Sequence, residues 1–297
     1  MPEVTLPLVE LDSPSVVDDV RHACEEIGFL VLTGHGIDPE LVAQVAALSR
    51  EFFDLPIDEK LRLQNDELLQ DRPIYRPMQS ESLGATSGEA RHRDLKESLD
   101  YGPTLPGAGW PKRPPGLEFA LRAYLSAMNN LGARLRRVFA LALDRDASSF
   151  EPLFDDRASS LRVINYPEVE SLPDDGQLRA GAHRDYGFLT ILRSENIAGG
   201  LEVQTRAGDW VPVETPEDSF VVNLGDLLAE WTKGRWVSTL HRVAVPPSGA
   251  SGTRRQSLVF FHNPREDAYI DELGSTAGEY ILAKAGQAFG EETVEKH

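Results

Sequence analysis

The stretch Ala180–Leu192, "AGAHRDYGFLTIL", sets a histidine and an aspartate two places apart at the edge of an apolar run. Side chains of an extended segment alternate with period two, so His183 and Asp185 on one strand project to the same face. The same tripeptide occurs earlier, in "EARHRDLKE" at positions 89–97. That stretch is charged and adjoins no β-type apolar run, and a loop without packing support holds ligand geometry poorly. His92 and Asp94 therefore read as a loop or strand-edge feature, and His183 and Asp185 as the pair with a strand to work on.

From Asp156 onward the texture around this stretch is uniform: "LRVINYP", "GFLTILRS", "GLEVQT", "WVPV", "SFVVNLGD", "STLHRVAVP" and "RRQSLVFFHNP", separated by Gly, Pro, Asp and Asn. Short apolar runs with frequent turn signals and no intervening helical periods predict an antiparallel sandwich or barrel, because parallel strands need crossover connections. The first half reads as mainly helical. Ser13-Pro14 starts a helix that Gly28 stops, "FLVLTG" follows as a short strand, and amphipathic helices are expected at 39–53 and about 117–143. A last helix is expected over about 277–289. The resulting division is a helical region at 1–156 packed on the core, a β core at 157–265, and a C-terminal segment and helix at 266–297, all in one structural unit.

Seven histidines occur, and one of them, His241, lies in the predicted strand "STLHRVAVP", 58 residues after His183. That separation is ample for intervening hairpins to return it beside the first pair. Two imidazoles and one carboxylate on one side of a metal leave the opposite positions open, which suits Fe(II) that must bind a cosubstrate and dioxygen; a structural zinc site would want four protein ligands. Arg255 and Ser257 alternate onto one face of "RRQSLVFF", where a guanidinium can grip a carboxylate with two parallel hydrogen bonds and a hydroxyl can add another. Tyr166, in "VINYP", could add a phenolic donor.

Composition limits the partners. Thirty basic residues against 48 acidic ones give a formal charge of −18, which repels a phosphate backbone and an anionic membrane surface. No apolar run approaches the roughly 18 residues of a membrane span, and the amino terminus lacks the layout of a secretion signal, so a cytoplasmic protein without nucleic-acid or membrane partners is expected, as a monomer or weak homo-oligomer. The single cysteine, Cys24, excludes an intramolecular disulfide and reads as core packing. Trp231 and Trp236 likewise read as core or turn packing rather than pocket aromatics. Residues 72–96 read as a long basic loop, and Arg72, Arg76, Arg91 and Arg93 are candidates for a substrate entrance favouring a polar or acidic small molecule, against the plainer reading of surface ion pairs.

In order along the chain, "GFLVLTGHGI", "NYP", "HRDYGFLTIL", "GLEVQTRAGDWVPV", "VVNLGDLLAEWTKGRWVSTLHRV" and "RRQSLVFFHNP" resemble the isopenicillin N synthase-like branch of the Fe(II)/2-oxoglutarate-dependent oxygenases. The resemblance extends over nearly the whole chain. It implies a double-stranded β-helix, or jelly roll, inside a helical shell, and a dioxygenase using Fe(II), 2-oxoglutarate and O2 on a small-molecule substrate. It implies His183, Asp185 and His241 as iron ligands, and Arg255, Ser257 and Tyr166 as contacts of the cosubstrate's far carboxylate. The chain departs from the family in carrying Ile164 where an asparagine is usual; the adjacent Asn165 should face the other side of the strand. Two other readings stay open: a 2-oxoglutarate-independent Fe(II) oxidase or cyclase of the isopenicillin N synthase or aminocyclopropane-carboxylate oxidase type, and a metal-free β-sandwich binding protein.

Overall fold

The computed structural model describes residues 6–63, 74–88, 92–103, 110–168, 174, 176–247, 250 and 253–289. In chain order the first part holds β1 (Leu8–Glu10), α1 (Val16–Glu26), β2 (Phe29–Thr33), α2 (Pro39–Phe53), α3 (Ile57–Leu61), β3 (Tyr75–Arg76), β4 (Glu97–Tyr101) and α4 (Leu117–Ala142). Then come β5 (Ser160–Tyr166), β6 (Ala180–His183), β7 (Leu189–Ser194), β8 (Leu201–Gln204), β9 (Trp210–Pro212) and β10 (Phe220–Leu224). The chain continues with α5 (Asp226–Trp231), β11 (His241–Val243), β12 (Arg255–His262), β13 (Tyr269–Ile270), β14 (Ser275–Thr276) and α6 (Ala277–Phe289).

Every strand run expected after Asp156 forms, and the sheets are antiparallel apart from the β1–β2 pair. The large sheet runs β1-β2-β10-β7-β12-β5-β4-β3, and a smaller one runs β6-β11-β8-β9. Together they make the jelly-roll core, with a cavity between them lined from both sheets. The N-terminal region does more than cover this core: β2 pairs with β10 and β4 with β5, so it completes both flanks of the large sheet.

The helices form where local signals agree. Asp38 accepts the Glu40 N–H and Pro39 takes the first turn of α2, where a missing N–H costs nothing. Leu121, Tyr124, Met128, Leu135 and Phe139 recur on one face of α4 and are fully buried against the sheet and the other helices. Each such side chain contributes about 1.5–3 kcal/mol by leaving water. Cys24 belongs to this core, where burial pushes its thiol pKa up. Trp231 and Trp236 also lie in the core, edge-on to Phe150 and Phe139 respectively, as the packing reading expected.

The stretch 72–96 differs from the long loop expected. It holds β3 and a 3-10 turn at Leu83–Ser87 and leads directly into β4. Alternation was not visible there because Asp94, Lys96 and Glu97 are all buried; charge pairing holds them, while Ile74 and Tyr75 fasten the start of the segment to the apolar core.

Candidate metal centre and cosubstrate pocket

β6 and β11 are antiparallel neighbours in which His183 and His241 stand directly opposite. Cross-strand partners have adjacent side chains, and the two imidazole centroids are 4.3 Å apart. β6 ends at His183, so Asp185 is not its same-face strand partner, contrary to the expectation from alternation. It arrives from the connection to β7, where its carbonyl accepts the Asp226 N–H at 2.7 Å. The outcome is nevertheless convergence: one donor atom from each of His183, Asp185 and His241 lies within 4.8 Å of the others.

The surroundings aim those donors. His183 Nδ1–H donates to Gly181 O at 2.7 Å and His241 Nδ1–H to Thr239 O at 3.1 Å, which leaves each Nε2 lone pair facing inward. Asp185 Oδ2 accepts from Thr190 Oγ1 at 2.5 Å and Asn223 Nδ2 at 2.7 Å. Its Oδ1 is left 3.9 Å from His183 Nε2 and 3.8 Å from His241 Nε2. Burial, reinforced by His241, pushes His183 down to about 3. Burial alone would raise Asp185, but the two imidazoles and its two hydrogen bonds outweigh that and hold it below the usual carboxylate range. The donor set is thus two imidazole nitrogens and an anionic oxygen, the chemistry a divalent cation requires. These three residues fit Fe(II).

The same cavity, about 300 Å³, extends along β5 and β12. Arg255 pairs with Tyr166 across these strands, and its guanidinium lies over the tyrosine ring at 5.0 Å. Arg255 is fully buried; its Nη2 donates to Ser194 Oγ and its Nε to Glu195 O at 3.3 Å, while Nη1 has no partner among the described residues. A buried donor left unpaired is costly, so the unsatisfied Nη1, beside Ser257 in the cavity wall, fits a carboxylate. Ile164 stands opposite Ser257, and Asn165 faces the other side of the sheet, bonded to Glu97 at 2.8 Å and Arg254 at 3.0 Å.

Of one charged group in the cavity wall, sequence reasoning found Arg76 and missed Glu81, Lys96 and Arg162. Arg76, Glu81, Lys96 and Arg162 line the cavity together with Arg255. Arg162 donates to Asp100 at 2.6 Å and 2.9 Å and to Glu81 at 3.3 Å, and Lys96 lies 3.1 Å from Glu81. Burial would raise Glu81, but Arg162, Lys96 and Arg76 hold it well below the carboxylate range. Arg162 was detectable, since it shares the period-two face of β5 with Ile164 and Tyr166. Of the basic residues singled out at 72–96, Arg76 reaches the cavity, whereas Arg93 donates to Gln79 O and Ser80 O. Arg72 and Arg91 lie outside the described residues.

Comparison with known proteins gives two family matches: the 2OG-Fe(II) oxygenase superfamily over residues 158–264, and the N-terminal region of non-haem dioxygenases in morphine synthesis over residues 3–118. The chain is 32% identical to a homoarginine-6-hydroxylase of Oryza sativa subsp. japonica, over 90% of this chain and 86% of that protein. It is 33% identical to a 2-oxoglutarate-dependent dioxygenase of Aspergillus niger, over 90% and 84%. The crystal structure of a full-length Neurospora crassa protein in complex with alpha-KG superposes with a TM-score of 0.82 at 26% identity, covering 94% of this chain and 96% of that one.

Proposed function

The chain belongs to the 2OG-Fe(II) oxygenase superfamily, and from that premise we propose that His183, Asp185 and His241 hold its iron while Arg255, Ser257 and Tyr166 hold the far carboxylate of 2-oxoglutarate. The protein is a non-haem Fe(II)- and 2-oxoglutarate-dependent dioxygenase acting on a small molecule. The iron and its cosubstrate supply oxidative decarboxylation: O2 is consumed, 2-oxoglutarate becomes succinate and CO2, and a C–H bond of the substrate is oxidised.

The chain's own residues bind, orient and exclude. His183 and His241, fixed through Nδ1 by carbonyls, present Nε2; Asp185, fixed through Oδ2, presents Oδ1. Arg255 supplies a charge-assisted donor whose position is set by Ser194 and Glu195 before the cosubstrate arrives. Phe29 packs edge-on against His241 at 5.3 Å and shields the centre from water. Arg76, Glu81, Lys96 and Arg162 give the cavity a polar wall, which supports a small polar substrate.

The observation that carries the reading is the pairing of an inward-aimed His-Asp-His set with a buried guanidinium in the same cavity whose Nη1 has no hydrogen-bond partner among the described residues. The test is succinate release in a turnover screen over small polar metabolites. Arg255→Gln is expected to raise the KM for 2-oxoglutarate at least about tenfold, because a buried donor to a charged group is lost. Product without succinate would favour the 2-oxoglutarate-independent chemistry instead.

No described helix is long and apolar enough to cross a membrane. A cytoplasmic location, a monomeric or weakly homo-oligomeric state, and the lack of nucleic-acid and membrane partners belong to the same proposal. The charge of −18 supports the last of these, and fractionation and light scattering test the others.

A further inference from the structure

The earlier His-Arg-Asp copy ends in a carboxylate that reaches toward the metal centre without entering it. Asp94 is 3% exposed. Its Oδ1 accepts the Gly181 N–H at 2.9 Å; its Oδ2 accepts the Leu83 N–H at 3.2 Å and lies 3.2 Å from Lys96 Nζ. Gly181 is also the residue whose carbonyl takes the Nδ1 proton of His183. One glycine therefore links a buried carboxylate to an iron-facing imidazole.

Two further facts make this link matter. The β6–β11 ladder is irregular at this point: His241 faces His183 and Val243 faces Ala180, so Gly181 and Ala182 lie where three steps of β6 oppose two of β11. Ladder hydrogen bonding is locally disrupted at such a bulge, and glycine is the residue with the widest backbone freedom. A side chain could not replace it, because a Cβ on Gly181 would meet Gly84 N at 2.5 Å. The 3-10 turn thus lies directly on the glycine, and Asp94 fastens the turn and the glycine together.

Resting on the ligand assignment above, we propose that Asp94 is a positioning residue for His183: by pinning the Gly181 N–H at the bulge it fixes the carbonyl that orients the imidazole. Outer partners of metal ligands are worth about 10–100-fold in metal affinity; Asp94 acts through a backbone residue and belongs at the lower end.

The probe is Mn(II), which resists oxidation by air, titrated calorimetrically into the full chain and followed by its electron paramagnetic resonance spectrum. Asp94→Leu is expected to weaken Mn(II) about tenfold and alter the spectrum, whereas Asp94→Asn, which keeps an oxygen acceptor for Gly181, stays within about threefold of wild type. Glu97→Gln is the structural control, since Glu97 is equally buried but bonds to Lys60, Tyr75 and Asn165 on the other face of the sheet. It should leave Mn(II) affinity unchanged. Wild-type affinity in a folded Asp94→Leu variant, or equal losses in the leucine and asparagine variants, would overturn the proposal. Should Asp94→Leu not fold, exchange of the Gly181 amide in glycine-labelled wild type decides. Coupling is reciprocal, so Zn(II) should slow that exchange about tenfold, and an unchanged rate overturns the proposal. Failure of the underlying reading has a separate signature: wild type that binds no Mn(II), or His183→Ala that binds it normally.

Discussion

His92-Arg93-Asp94 and His183-Arg184-Asp185 share three letters and, in each copy, an arginine that donates to backbone carbonyls: Arg93 to Gln79 and Ser80, Arg184 to Ser238. The aspartates differ in what their neighbours leave them. Both oxygens of Asp94 are engaged, by Gly181, Leu83 and Lys96. Thr190 and Asn223 both bond one oxygen of Asp185, leaving the other to face two imidazoles. The histidines differ too, His183 sitting opposite a second histidine on a paired strand while His92 lies 3.7 Å from the exposed Asp174. A carboxylate becomes a ligand when its donors are placed on one side of it; a motif alone does not decide this.

The largest effect expected from this contrast is at the second copy. His183→Ala or Asp185→Ala should weaken Mn(II) or Fe(II) by more than about a hundredfold, beyond the range for outer partners, and abolish 2-oxoglutarate consumption. Titration calorimetry checks the first and succinate assay the second. Near-normal affinity in both variants would erase the distinction between the copies.

Burial alone does not make a histidine a ligand, and His262 sharpens the point. Its Nδ1 bonds to Ser159 at 2.8 Å and its Nε2 to Arg136 at 2.6 Å, so no lone pair is left for an ion. Burial, with the Arg136 charge, pushes it down to about 3. The unfolded chain takes up this proton below about 6.5 and the folded one does not, so the neutral ring's contribution is intact above that pH and declines as pH falls toward 3. The expected loss is about 2 kcal/mol between pH 6.5 and 5. Denaturant melts of wild type and His262→Phe across that window should show the shallower slope in the variant.

Next in size are the donors that leave Asp185 one oxygen. Thr190→Val and Asn223→Leu should each weaken Mn(II) about tenfold, read by the same titration. If neither does, the placement of donors is not what separates Asp185 from Asp94.

Legibility in the sequence follows the same division. The strands carrying His241, Arg255 and Tyr166 were readable because each is an apolar run bounded by turn residues, and α2 because Asp38-Pro39 caps it. Asp185 converges with the two histidines for a reason that alternation did not supply: the strand stops at His183, and convergence comes from the following turn. Asp94 and Lys96 were read as loop because their burial rests on partners at Glu81, Leu83 and Gly181 that no local period announces. Arg162 had a readable face, but its role depended on Asp100 and Glu81 from other segments.

The smallest expected effect is at His92. Its ion-pair partner among the described residues, Asp174, is 78% exposed, and a pair of that kind contributes under about 0.5 kcal/mol. The His92 carbonyl, which accepts from Ser82 Oγ at 3.0 Å, survives any side-chain substitution, so the path through Asp94 stays fastened. His92→Ala should therefore leave both the melting curve and the Mn(II) titration within error of wild type. A loss of metal affinity there comparable to that of His183→Ala would mean that the first copy, not the second, approaches the ion, and the argument from saturated carboxylate oxygens would fall with it.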